Sequence, residues 1–323
     1  MDFLKINSEK SFDKLSLELF NFHHRENENY RNFCDNIKVD SSKINCIEKI
    51  PFLPIVLFKN KKISIKNINH EIIFESSGTG GLKSKHFIKN LELYNKSIEK
   101  CFKKFYGDIS DYIILGITPS LESKNNSSLI YMINELIKKS NKKESQFLMN
   151  SDIFYSLTEK LERENKQYIV YGLSHALLDL LDGKNYNLKK SIFIETGGMK
   201  GLRDEIEKDK LHKIISDGFN TNNVHSEYAM TELLSQSYSS GKQVFITPPW
   251  KKVLIKDFND PLKVQRQGRG FLNIIDLANK YSCPFISTED VGEVYENGDF
   301  KLFGRGSDAD MRGCNLMLGD QAN

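Results

Sequence analysis

No stretch of this 323-residue chain is long and apolar enough to span a bilayer as a helix. The most apolar window, YIVYGLSHALLDLL, is broken by His175 and Asp179. Charge of one sign is lacking as well. The 46 Lys and Arg stand against 43 Asp and Glu, and a net +3 gives no electrostatic case for nucleic acid or an anionic membrane surface. The five cysteines, Cys34, Cys46, Cys101, Cys283 and Cys314, show no CxxC spacing. Their odd number, with an N-terminus (MDFLKINSEK) too polar for a secretory leader, predicts free thiols and a cytoplasmic location. No internal repeat or low-complexity linker divides the chain. The G-x-x-x-x-G-K-[ST] pattern is absent, which disfavours a kinase or GTPase built on that loop.

With 39% hydrophobic and 28% charged residues, the composition is that of a soluble globular protein, long enough for one large domain or two ordinary ones. Phe12, Leu15, Leu19 and Phe22 recur at helical spacing near the N-terminus, with Ser11 as the predicted N-cap. Two prolines in IPFLPIVLF (50–58) predict an extended connector. Short apolar runs ending in small polar residues follow: IIF (72–74), DYIILGITPS (111–120), QYIVYGLSH (167–175) and SIFIETGG (191–198). Helical patterns such as SSLIYMINELIKKS separate them, so the fold class is α/β with mostly parallel sheets, and ligands are expected beyond the carboxyl ends of the strands. Past residue 250, KVLIKDF, FLNIIDLA and GEVYENGDFKLFGR predict antiparallel strands, the last with Asn297-Gly298 as a tight turn. The chain is read as one domain over 1–323, mainly α/β over 1–250 and β-rich over 251–323.

The segment IIFESSGTGGLKSKHF (72–87) crowds Ser76, Ser77, Gly78, Thr79, Gly80 and Gly81 behind a strand. Main-chain amides of such a loop converge on phosphate oxygens, and hydroxyls add neutral donors. Taken alone, the same composition also suits a solvated turn. Its companions decide between the two: ETGGMKG (195–201), HSEYAMTELLSQ (225–236) and ISTEDVGEVYENGDFKLFGR (286–305) follow in order. SSGTGG resembles the SSGTTG phosphate loop of adenylate-forming enzymes, YAMTE their YGMTE motif, and TEDVG…GDFKLFGR their TGDLG…GRxDD run. PFLPIVLFKN, IETGGMKG, HSEYAMTELLSQSYS, PPWKKVLIKD and RGCNLML make the chain most similar to the acyl-protein synthetase (LuxE-type) family within that superfamily. The likeness runs from about residue 10 onward.

The resemblance implies the large domain of an adenylate-forming ligase, using ATP and Mg²⁺ to convert a carboxylic acid, expected to be a fatty acid, to an acyl-AMP. Ser76 to Gly81 would wrap the β- and γ-phosphates, Gly197 and Gly198 would lie along the adenine, and Tyr228 would stack on it. Thr231 would contact the α-phosphate and Glu232 would hold Mg²⁺, a hard cation suited to carboxylate oxygen. Asp290 would bind the ribose hydroxyls and Arg305 would approach ribose and phosphate. Read without the family, Glu232 is also a carboxylate suited to the first turn of a following helix. His86, His175 and His225 stay open between structural and active-site roles.

Three departures accompany the likeness. Gly80 replaces a Thr of the loop. The Pro-Lys that follows the loop elsewhere is missing, with Lys83 and Lys85 nearby. No mobile C-terminal domain is expected after the GRxDD hinge. The last disfavours a CoA ligase that works by domain rotation. It points instead to acyl transfer onto a protein cysteine, as in the acyl-protein synthetases, with Cys314 as the candidate nucleophile beside Arg312 and Gly313. A reductase that takes over the acyl group is the partner implied by the family. The rival readings are a ligase acylating a free thiol or carrier, and a nucleotide-binding subunit without catalysis.

Overall fold

The computed structural model describes residues 2–77, 81–122, 124–181, 183–198, 206–260 and 262–306. They form two compact units, one made of the described residues of 2–68 and 249–306, the other of those of 69–248. Gly78, Thr79, Gly80 and Cys314 lie outside the described residues.

The discontinuous unit opens with α1 (Glu9–Glu26) and α2 (Glu28–Asn36). Phe12, Leu15, Leu19 and Phe20 give α1 one buried face, as the helical spacing predicts. The cap is Ser8, not Ser11. Ser8 Oγ accepts from the Ser11 amide at 3.2 Å, and Ser11 Oγ accepts in return from the Ser8 amide at 3.1 Å. Ser11 is thus the third helical residue of a capping box. The proline-rich connector supplies β1 (Leu53–Pro54) and one helical turn, α3 (Leu57–Asn60), so it is not extended throughout.

The continuous unit begins with an antiparallel hairpin of β2 (Ile72–Glu75) and β3 (Lys85–Ile88). This corrects the assignment of IIF to the parallel series, because β2 pairs only with the strand that follows its own loop. After α4 (Leu91–Tyr106) come β4 (Ile113–Ile117), α5 (Ser128–Ser140), β5 (Gln146–Phe147), α6 (Ser151–Arg163) and β6 (Tyr168–Leu173). Then follow α7 (Ser174–Asp179), β7 (Ser191–Thr196), α8 (Lys208–Phe219), β8 (Val224–Tyr228), β9 (Ser237–Ser239) and β10 (Val244–Phe245). The sheet order is β5-β4-β6-β7-β8-β9, parallel except for β9, as the alternation of strands and helices predicts. Its strands are buried on both faces. Leu115, Tyr168, Val170 and Phe193 pack with Phe154 and Leu161 of α6 and with Ile215 and Phe219 of α8, whereas Ile114, Ile169, Tyr171 and Ile194 alternate onto the opposite side.

From residue 249 the first unit resumes with β11 (Lys251–Lys256), β12 (Val264–Gln265), β13 (Gly268–Asp276), β14 (Phe285–Val294) and β15 (Phe300–Arg305). They run antiparallel in the order β15-β14-β13-β11-β12, and β1 adds to β14 in parallel. Gly298, at φ +85°, closes the β14–β15 turn that Asn297-Gly298 predicts.

Candidate active site

The Ser/Gly loop is pinched at its neck. The Ser76 amide donates to the Ser84 carbonyl at 3.0 Å, and the Ser84 amide donates to Ser76 Oγ, also at 3.0 Å. Ser84 is buried, so this closure is sheltered from water. Ser76 therefore works first as the loop's clasp, while Ser77 and Gly81 stand at the two described edges of the loop itself, Gly81 at φ +101°. Lys83 and Lys85 both face Glu75, each with Nζ 4.0 Å from one of its oxygens. Glu75 also accepts from Asn126 Nδ2 at 2.9 Å. Basic charge is thus present beside the loop, directed toward a carboxylate.

The hairpin is tied to the YAMTE segment. His86, fully buried on β3, places Nδ1 2.7 Å from the carbonyl oxygen of Thr231. A carbonyl only accepts, so the proton lies on Nδ1 and the ring's tautomer is fixed by this contact. The segment after β8 forms no helix, contrary to the expected helix after YAMTE. The Leu233 amide donates to the Met230 carbonyl in a single turn, and the chain runs straight into β9. Glu232, Leu233, Leu234, Ser235 and Gln236 are all buried, and a stretch covered on every side has no solvent face for an amphipathic helix to present. Glu232 consequently owes nothing to a helix dipole.

Tyr228 ends β8 with its ring edge-on to Phe245 at 6.0 Å and is buried. Gly197 follows β7 at φ +69°, a conformation that costs other residues about 1 kcal/mol or more. Thr196, Gly197 and Tyr228 thus lie at the carboxyl ends of adjacent parallel strands, where ligands bind in such sheets. Asp290 and Arg305 belong to the other unit. They are cross-strand partners on β14 and β15, with Nε 3.5 Å from Oδ1, and the Asp290 amide donates to Thr288 Oγ1 at 3.1 Å. The Arg305 side chain is largely exposed, so the pair adds no more than about 1 kcal/mol to stability.

A magnesium ion fits the donor chemistry of Thr231 and Glu232, which offer hard oxygens. Among the described residues no three His, Cys, Asp or Glu side chains stand together, so water and phosphate oxygens would complete its shell.

Of the histidines, His225 stacks on Tyr106 at 5.7 Å, and burial pushes its pKa down to about 4. It is a neutral, half-buried residue of β8. His175 lies in α7 and is half-buried. Cys101 is wholly buried on α4, as its neighbours Phe102 and Phe105 suggest. Glu195, Lys208 and His212 escaped the sequence reading, although an acid inside the apolar run SIFIET was a visible anomaly.

Comparison with known proteins gives a consistent result. The family "Acyl-protein synthetase, LuxE" matches residues 2–322. The chain is 27% identical over 311 residues to the long-chain-fatty-acid–luciferin-component ligase of Aliivibrio fischeri, covering 88% of this chain and 79% of that one. With the Vibrio harveyi ligase of the same name it shares 22% over 322 residues, covering 93% and 85%. ATP-bound MatB from Rhodopseudomonas palustris resembles it with a TM-score of 0.55 at 14% identity, over 73% of this chain and 48% of that one. A 2-hydroxyisobutyryl-CoA ligase in complex with 2-HIB-AMP and CoA does so with a TM-score of 0.63 at 11% identity, over 93% and 69%. The chain spans about half the length of MatB. At these identities the solved structures establish the fold, the α/β fold of adenylate-forming enzymes. With its family matched across nearly the whole sequence, this chain belongs to the acyl-protein synthetases of the LuxE family.

Proposed function

We propose that the protein activates a long-chain fatty acid with ATP and magnesium and passes the acyl group to a protein cysteine. The observation that carries this reading is the tie between the loop hairpin and the Thr231–Glu232 segment, made by His86 and sheltered from solvent. It holds two of the motifs that adenylation needs within a single compact unit. The ligase names of the Aliivibrio fischeri and Vibrio harveyi relatives support the fatty acid as substrate.

In the proposed reaction a carboxylate oxygen attacks the α-phosphorus of ATP. The bond from that phosphorus to the bridging oxygen breaks, and pyrophosphate leaves. Amides and hydroxyls of residues 76–81 stabilise the charge that grows on the leaving group. Thr231 donates to the α-phosphate, and Glu232 would hold a magnesium ion, which would supply further charge neutralisation. Gly197, Gly198 and Tyr228 seat the adenine; Asp290 accepts from the ribose hydroxyls, with Arg305 beside it. A cysteine thiolate, proposed to be Cys314, then attacks the acyl carbonyl. The carbon–oxygen bond to AMP breaks, AMP leaves and a thioester remains, the thiol proton having gone to solvent. A reductase is proposed as the consumer of that thioester, and the cytoplasm as the site of the reaction.

Two measurements test this together. Acid-dependent pyrophosphate release from MgATP reports the first step, and intact-protein mass spectrometry reports the second. We expect release with long-chain acids and an acyl-sized mass gain, labile to hydroxylamine, that Cys314→Ala abolishes. Release without any adduct would place the acceptor on another molecule. Neither signal with any acid would leave a nucleotide-binding subunit without catalysis.

A further inference from the structure

Beneath the Gly197–Gly198 turn lies a fully buried carboxylate, Glu195, which the adenylation chemistry does not use. Lys208 Nζ donates to both its oxygens, at 2.6 and 2.7 Å. Ser174 Oγ donates to Oε2 at 2.7 Å and Ser226 Oγ to Oε1 at 2.5 Å. His212 Nε2 in turn donates to Ser226 Oγ at 2.9 Å, and its Nδ1 accepts from Gln243 Nε2 at 3.3 Å. Burial alone would raise the Glu195 carboxyl, but the His212 ring and the Lys208 charge outweigh it and hold the group at about 2. These partners keep it anionic well below the ordinary carboxylate range.

The placement of these partners is what matters. Glu195 and Ser226 are register partners on β7 and β8. Glu195 precedes Gly197 by two residues and Ser226 precedes Tyr228 by two. Ser174 follows the end of β6, and Lys208 begins α8, where the chain returns after the turn. A single carboxylate thus fastens the carboxyl ends of three adjacent strands and the helix that follows. Where cohesion alone is needed, a well-packed apolar side chain serves as well as a buried ion pair or better. The neighbouring inward positions of this face, Val170 and Phe193, are apolar for that reason.

We propose that Glu195 is a positioning residue for the nucleotide base: it locks the Gly197–Gly198 turn and Tyr228 at one spacing, so that a planar purine fits against both. This rests on the nucleotide reading above and assigns base recognition to one buried charge, separate from phosphate recognition by the loop. The turn and Tyr228 follow different strands: the β7–β8 ladder sets their register, and the bond from Ser226 to Glu195 adds a side-chain tie two residues before each.

The test is isothermal titration of the full chain, in magnesium buffer, with ATP and separately with inorganic tripolyphosphate, which has no base to seat. For Glu195→Gln we expect ATP affinity to fall about tenfold while tripolyphosphate affinity changes by less than about twofold. Ser226→Ala removes two bonds, the one to Glu195 and the one from His212, but leaves the charge paired with Lys208 and bonded to Ser174, so it serves as the milder variant should Glu195→Gln fail to fold. It is expected to lose about threefold for ATP alone. Equal losses for both ligands would make Glu195 a generic stability element and overturn the inference. So would unchanged ATP binding in both folded variants. Failure of the wild-type chain to bind ATP at all would overturn the nucleotide reading itself and the inference with it.

Discussion

His86 shows how much one buried ring can decide. Its Nδ1 serves the Thr231 carbonyl, and the ring sits on the strand that leaves the phosphate loop. Asparagine can place an amide donor near where Nδ1 stands, whereas leucine leaves the carbonyl unpaired, at a cost of about 1–3 kcal/mol. We therefore expect His86→Leu to lower kcat/KM for acid-dependent pyrophosphate release by about tenfold or more, and His86→Asn to recover most of it. Equal activity in both variants would remove His86 from the positioning scheme. The ring's donor role was invisible in the sequence, because a lone histidine does not announce its partner. Thr231 lies far along the chain, and only the fold brings the two together. Glu195 was different: an acid between Ile194 and Thr196 in an apolar strand contradicts its surroundings, and that contradiction was readable.

Among elements, those governed by local chemistry were legible. β4, β6 and β7 read as strands because parallel strands buried on both faces become continuous apolar runs. The Asn297-Gly298 turn read correctly because Gly298 needs a positive φ. Elements governed by pairing partners were not. IIF looks like a parallel strand, yet β3 returns from the loop close enough to take its hydrogen bonds. TELLSQ looks helical, but burial on all sides removes the amphipathic condition on which that reading relied. The start of α1 was misplaced by three residues because both Ser8 and Ser11 suit an N-cap, and in the capping box each serves the other. Replacing Ser8 by Ala removes the acceptor of the Ser11 amide, and we expect a loss of about 1 kcal/mol in urea unfolding. Ser11→Ala, which leaves that acceptor in place, should cost less.

For the molecule as a whole, acid is the condition that tests buried neutrality. Burial lowers the pKa of His23 to about 4, against the backbone hydrogen bond its Nε2 donates to the Lys280 carbonyl. Asn27 Nδ2 donates to Nδ1 of the same ring, so the neutral tautomer is held from both sides. A histidine with a lowered folded pKa contributes stability that is full above its ordinary value near 6.5 and is lost as pH falls toward 4. His225, at about 4, loses its contribution in the same window. Glu195, with a folded value of about 2, adds a second loss between about pH 4.5 and 2. Urea midpoints should therefore fall through pH 6.5 to 4, by up to ~3 kcal/mol for His23. His23→Gln, which keeps a donor for Lys280 and cannot titrate, should flatten that slope. A slope unchanged in His23→Gln would assign the acid lability to other groups.

The division of the chain sets an order of completion as it leaves the ribosome. Residues 2–68 emerge before the continuous unit, yet β1 meets its partner β14 only when synthesis has passed residue 285. The continuous unit, by contrast, has every strand of its parallel sheet in hand by residue 239. The part made later can close first, while α1 and α2, made before it, wait with their apolar faces uncovered until translation supplies the β11–β15 sheet. A stall between those two points leaves a finished body carrying an unfinished one, with Phe12, Leu19 and Phe20 offered to chaperones or to one another.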